Sequence, residues 1–296
     1  MTDALAPALS VIVPSVSGWR DLKAALEALA AQRGAAVESV VVDRVGATVR
    51  EPLRREFPRA RLVEAPPGTP IPALRRMGFA AARAPIVGVI EGHVLTPPDR
   101  AERMLAAHAA GAMVGGGSVV NAATTGLVDR SAFLCEYAPC LAPPAGPSRW
   151  LPGNNVTYRR TLLDRFAATV AADRWEHHLH DALREAGIAL ESRPEIVVLH
   201  NQHTSVARYA RQRFLYSRVY AAQRAGALRR FAWGVGARAL PPLLLGRITG
   251  AVWRSRPLRR VLLLSLRLMG LCVLVWAAGE SAGAWFGPGD APAQVA

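Results

Sequence analysis

The stretch IVGVIEGHVLTPPD, Ile86 to Asp99, decides how this chain is read. Ile86 to Ile90 has the length and the β-branched content of a buried strand, and it ends abruptly at Glu91, Gly92 and His93. A Pro-rich turn then leads into a helix. Open α/β sheets gather ligands at the carboxyl ends of their strands, so a buried strand ending in a carboxylate and an imidazole marks a site.

The pattern extends in both directions. Upstream, Leu9 to Pro14 is a β-branched run, Ser15 to Gly18 a turn, and Trp19, Leu22, Leu26 and Leu29 recur at helical spacing. Val37 to Asp43 reads as a second strand, Arg61 to Glu64 as a short third, and Ala73 to Ala82 as a helix before the fourth strand. Strand and helix alternating with short links predict a parallel, doubly wound α/β sheet. Downstream, Gly115 to Gly117 opens a looser section that runs through Pro143, Pro144 and Pro147 to Trp150. These glycines lack the lysine and the spacing of a phosphate loop and predict close backbone approach or a bend. Arg160 to Val170 and Glu176 to Ala186 read as helices, and Ile196 to Leu199 as a strand ending at His200.

Composition narrows the partners. The 296 residues are 51% hydrophobic, more than a soluble core requires. The net charge of +14 is almost wholly arginine, since Lys23 is the only lysine. Such a balance suits nucleic acid, anionic lipid or phosphorylated substrates, and an Ala-, Arg- and Pro-rich composition produces it without any partner. No nucleic-acid-binding motif accompanies the charge, so nucleic acid is not expected. Cys135, Cys140 and Cys272 form neither a disulfide framework nor a zinc pattern, which suits a reducing compartment. Asp3, with no basic region before the first apolar residues, argues against a cleaved secretory signal.

The last third alternates basic and apolar segments. Arg208 to Arg224 is a basic helix interleaved with Tyr209, Phe214, Tyr216 and Tyr220, and Phe231 to Trp253 is apolar around Pro241 and Pro242. Val261 to Ala278 approaches the length of a bilayer span with Arg267 as its only charge. Arg254, Arg256, Arg259 and Arg260 stand before it and place that flank on the cytoplasmic side. A central arginine costs about 2.5 to 3.5 kcal/mol on insertion, so a span, an in-plane or re-entrant helix and a buried soluble helix all stay open. Gly279 to Gly289 is expected to return as a short tail.

Several motifs, in order, resemble a family 2 glycosyltransferase of GT-A fold from about Ser10 to Tyr220. SVIVPSVSGWRDLKAALEALA, Ser10 to Ala30, resembles the opening strand, turn and helix, and VVVD, Val40 to Asp43, the second strand, whose terminal aspartate contacts the nucleotide. Arg75 to Gly78 resembles an Arg-Asn-x-Gly segment with Arg76 in place of asparagine. Glu91-Gly92-His93 lies where the family has Asp-x-Asp. LPGNNVTYRR, Leu151 to Arg160, resembles its Gly-x-Asn stretch, and Trp175-Glu176-His177-His178-Leu179 its Glu-Asp-x-Asp-Leu. His200 matches a histidine after the last sheet strand.

The resemblance implies a GT-A-like domain over residues 1–205, with a nucleotide-sugar half at 8–115 and an acceptor half at 116–205. Basic amphipathic helices at 206–260, a membrane helix at 261–279 and a tail at 280–296 complete the chain. It implies donor contacts from Pro14, Ser15, Asp43, Arg75, Glu91 and Asn155, a divalent metal, Mn²⁺ or Mg²⁺, on Glu91, His93 and His200, and Glu176 as general base. Glu176 beside Trp175 is expected to be partly desolvated, which raises its pKa against the opposing helix N-terminus. The partners implied are a nucleotide-sugar donor, a lipid-linked or glycan acceptor and membrane lipids, at the cytoplasmic face of the cell membrane. An imidazole in the Asp-x-Asp position favours Mn²⁺ or another transition metal over Mg²⁺. His177 and His180, at i and i+3 on one helix, could share an ion, but surface or acceptor contacts suit them better. The Glu-x-His change keeps two other readings open: a catalytically silent nucleotide-binding partner of a membrane glycan-assembly complex, and a basic membrane-surface or nucleic-acid-binding protein.

Overall fold

Strand and helix alternate in the first ninety residues because short, nearly continuous apolar runs, buried on both faces, are separated by amphipathic 3.6-period segments. In the computed structural model, which describes residues 6–224, 226–253 and 255–295, these are β1 (Leu9–Ser15), α1 (Trp19–Ala30), β2 (Val37–Asp43), α2 (Ala47–Glu56), β3 (Arg61–Glu64), α3 (Ile71–Ala81) and β4 (Ile86–Val89). Asp3 and Arg254, named above, lie outside the described residues. The chain divides into two compact units, residues 1–120 with 142–200, and residues 121–141 with 201–296.

The first unit is built on a nine-stranded sheet. β2 pairs in parallel with β1 and β3, and β1 with β4, as the alternation predicts. Beyond β4 the sheet becomes mixed. It continues with β8 (Val156–Arg159), β6 (Val114–Asn121), β9 (Leu190–His200) and the two-residue β5 (Val94–Leu95), while β7 (Gly146–Ser148) pairs with β9. β8 lies antiparallel to both β4 and β6, and β9 antiparallel to β5 and β7. Ile12, Val40, Val42, Val87 and Val89 form a core with Leu74 of α3 and with Leu179 and Leu183 of α8 (Glu176–Glu185). Gly78 lets α3 approach the sheet: a Cβ there would lie 2.3 Å from Ile12 Cγ2.

Gly115 to Gly117 belong to β6, and two of the three have the expected reason. A Cβ on Gly116 would meet Asn155 O at 2.4 Å, and one on Gly117 would meet Arg193 O and Ile196 O at 2.2 Å. Backbone cannot yield as a side-chain tip can, so these positions require glycine.

The second unit is helical. It holds α5 (Leu127–Tyr137), α9 (Val206–Ala222), α10 (Ala227–Gly236), α11 (Leu240–Val252), α12 (Arg256–Phe286) and α13 (Ala291–Gln294). Residues 121–141 fall inside the acceptor half implied by the resemblance, yet α5 packs against α11 and α12 and clusters with the C-terminal helices. The apolar segment expected at 261–279 is part of a longer helix of 31 residues. It runs through the region expected as a returning tail because nothing breaks it before Gly287, whose φ of +74° ends it in the left-handed region. Small residues let α9 and α12 touch along their backbones, since a Cβ on Gly279 would lie 2.5 Å from Phe214 O.

Candidate active site

The strand register assembles the site. β5 pairs with β9 so that Val94 faces His200, which sets His93 beside His200. Their Nε2 atoms are 3.0 Å apart, and Glu91 Oε2 lies 3.2 Å from His93 Nε2. One ligand atom from each of Glu91, His93 and His200 lies within 4.8 Å of the others, and this is the metal-competent group found among the described residues. Burial pushes the Glu91 carboxyl up, but the contact with His93, the charges of both imidazoles and Arg75 outweigh it and hold it at about 2. Burial, with His93 adding to it, pushes His200 down to about 3. At neutral pH the group therefore presents a carboxylate and an unprotonated His200, the forms that bind a metal. Two imidazoles and one carboxylate fit a borderline cation such as Mn²⁺ better than Mg²⁺.

The same reasoning separates two adjacent asparagines. β4 and β8 run antiparallel with Val89 opposite Val156, so counting outward sets Asn154 opposite Glu91. Asn154 Nδ2 donates to Glu91 Oε2 at 3.3 Å. Asn155, assigned to the donor by resemblance, points the other way and is fully buried. Its amide donates to Ser118 O and Ile196 O at 3.0 and 2.8 Å, and its oxygen accepts from Arg100 Nε at 3.3 Å. Asn155 thus fastens β8 to β6 and β9, and Asn154 faces the site.

Ser15 lies opposite Asp43 in the parallel register, and Asp43 is fully buried. Its Oδ1 accepts from Ser15 Oγ at 2.8 Å and Val45 N at 3.1 Å, and its Oδ2 from Gly46 N at 2.9 Å and Arg50 Nε at 2.7 Å. These bonds from Ser15, the turn backbone and Arg50 brace the β2–α2 turn. Pro14 is buried in β1, and its carbonyl lies near Gly92. Asp43→Ala is expected to destabilise the fold by about 3 kcal/mol, because it leaves Arg50 and two backbone N–H groups without their acceptor. Denaturant unfolding measures this, and unchanged stability with lost nucleotide affinity would instead support the donor role.

Glu176 opens α8, and Arg75 reaches it from α3. Arg75 Nη1 donates to Glu176 Oε2 at 2.5 Å, with 8% and 20% of the two side chains exposed. Burial would raise the Glu176 carboxyl, but Arg75 leads the opposing charges and holds it below the ordinary range, the reverse of the expectation from Trp175 alone. Arg76, in place of the family asparagine, pairs with Asp173 at 2.7 Å. His177 and His178 stack at 4.1 Å between ring centroids, and His180 Nε2 lies 2.8 Å from Tyr158 OH, so none of the three joins the metal-competent group. Burial pushes His180 down to about 4, which leaves it neutral beneath Glu176. Beside the ion pair lies a cleft lined by Arg75, Phe79, Tyr158, Trp175, Glu176 and His178 among others.

Glu176 also touches the turn that carries Asn154. A Cβ on Gly153 would lie 2.5 Å from Glu176 Cδ, so the glycine makes room for the carboxylate. Consecutive residues Gly153 and Asn154 therefore stand between Glu176 on one side and Glu91, His93 and His200 on the other.

A parallel half-sheet continued by antiparallel strands, with this group at its strand ends, is the fold of a GT-A glycosyltransferase. The chain belongs to glycosyl transferase family 2, whose model matches residues 10–165. Among solved structures, the mannosyltransferase PcManGT from Pyrobaculum calidifontis, in complex with GDP-Man and Mn²⁺, is similar over 96% of this chain and 89% of its own. The TM-score is 0.61 at 15% identity, a likeness of fold. S. aureus TarS 1-349 in complex with UDP-GlcNAc aligns over 93% of this chain and 90% of its own, with TM-score 0.49 and 14% identity. No curated protein matches the chain significantly.

Proposed function

We propose that this glycosyltransferase is an inverting enzyme that moves a sugar from a nucleotide-sugar donor to a hydroxyl of a lipid-linked or glycan acceptor at the cytoplasmic face of a membrane. The observation that carries this reading is the placement of Gly153-Asn154 between a carboxylate suited to general-base work and a group suited to a diphosphate-bound cation. Glu176 takes the proton of the acceptor hydroxyl as that oxygen bonds to the anomeric carbon. The bond from carbon to the diphosphate oxygen breaks on the opposite face, and the nucleoside diphosphate leaves with the electron pair. Inversion follows from this single in-line displacement. When bound by Glu91, His93 and His200, a divalent ion supplies electrostatic neutralisation of the leaving diphosphate. Arg75 adds a guanidinium that matches phosphate geometry.

Thermal stabilisation by UDP, GDP and their sugars with Mn²⁺, Mg²⁺ or EDTA tests the reading. Metal-dependent stabilisation by one nucleotide series is expected, and no response to any nucleotide in any metal would sink it.

The membrane half of the proposal rests on the helical unit. Leu228, Leu243, Leu263, Leu264, Leu274 and Phe286 are exposed there, and only a third of the apolar stretch of α12 is buried. Glu280 and Asp290 are the only acidic residues after residue 200, against fourteen arginines. Exposed apolar helices flanked by arginine suit anionic lipid. Co-flotation of the full chain with vesicles containing anionic lipid is expected, weakened when the anionic lipid is omitted. A chain that remains with the soluble fraction in both cases would refute membrane attachment.

A further inference from the structure

Arg75 holds Glu176 at 2.5 Å, and Glu176 abuts Gly153, whose neighbour Asn154 donates to Glu91 of the metal-competent group. The guanidinium also lies 5.8 Å from the centroid of the Trp175 ring, immediately before Glu176. A guanidinium carries a single positive charge, so a diphosphate that pairs with Arg75 competes with Glu176 for it. A carboxylate held against a guanidinium is moreover a poor proton acceptor, because accepting the proton discards that ion pair.

We infer that Arg75 gates the base: without donor it holds Glu176, and the arriving diphosphate draws it away and leaves Glu176 ready to take the acceptor proton. This rests on the proposed transferase reading and adds that donor binding arms the base. Competition for one cation couples the two sites. Such couplings are commonly about 5- to 150-fold in affinity.

The test is the calorimetric affinity of UDP and GDP, in Mn²⁺, for the full chain and for Glu176→Gln, Arg75→Lys and the double variant. Glutamine keeps the shape of Glu176 without its charge, so Glu176→Gln is expected to bind the nucleotide about tenfold more tightly than the unmodified chain. In the Arg75→Lys background, where the fork is lost, that gain is expected to shrink below about threefold. Glu176→Asp, a carboxylate one methylene shorter, gives a smaller gain with the same cancellation and serves if the glutamine variant does not fold. An unmodified chain that binds nucleotide, together with Glu176 variants within about twofold of it, overturns the gate and leaves the transferase reading standing. A gain that survives intact in Arg75→Lys also overturns it. An unmodified chain that binds neither nucleotide overturns both.

Discussion

Glu176→Gln is expected to lower turnover by about 1,000-fold while nucleotide binding persists. General-base assistance contributes about 100- to 10,000-fold to such reactions, and the amide accepts no proton at neutral pH. Glu176 is well placed for the role: it lies at the start of α8, Gly153 leaves room for its carboxylate, and it lines a cleft with Tyr158 and Trp175. The pH profile adds a second reading. The charged groups that act on Glu176 are Arg75 from α3 and His177 and His180 from its own helix, with the buried Tyr158 hydroxyl nearby. Together they hold the free carboxyl below the ordinary glutamate range, so its base form is present above that lowered pKa and is lost as pH falls through it. The acid limb of kcat/KM, which reports the free enzyme, is expected below the ordinary glutamate value. Once a donor has drawn Arg75 away, the acid limb of kcat is expected at higher pH. Retained turnover in Glu176→Gln would remove Glu176 from the chemistry.

Glu91→Ala, His93→Ala and His200→Ala are each expected to abolish metal-dependent stabilisation by nucleotide. In the unmodified chain that stabilisation is about 2.7 kcal/mol at a nucleotide concentration of ~100 times its dissociation constant. Each substitution deletes one of three ligands whose donor atoms already lie within 4.8 Å, and EDTA is expected to reproduce the loss in the unmodified chain. Mn²⁺ is expected to support the effect better than Mg²⁺, because two of the three donors are imidazoles. The His93 and His200 variants separate a shared ion from a purely structural contact. If their nucleotide stabilisation stays metal-dependent and full-sized, the 3.0 Å approach of the two rings is packing alone.

Much of the fold is legible in the sequence. Ile86 to Ile90 reads as a buried strand because β-branched residues crowd it and polar residues stop it, and in the structure that strand delivers Glu91 and His93 at its carboxyl end. The parallel half of the sheet follows from short β-branched apolar runs and period-3.6 segments alternating over short links. The family assignment, carried by motif order, agrees with the matched region at residues 10–165.

Local pattern by itself determined which segments are strands and helices, and which strand ends carry polar chemistry, because hydrophobic period and turn residues act over a few positions. Tertiary structure decided where the side chains at those ends point. Asn154 and Asn155 are chemically identical, and only the antiparallel register of β4 and β8 turns one to Glu91 and the other into the sheet. Asp43 at the end of β2 gains Ser15 and Arg50 as partners only through the β1–β2 register and the packing of α2. Arg75 and Glu176 meet across 101 positions through the packing of two helices on one sheet face, and α5 leaves the sheet unit because its apolar face fits α12. Pairings between distant segments depend on shape and register that neither segment encodes alone, so they emerge only when the whole chain is packed.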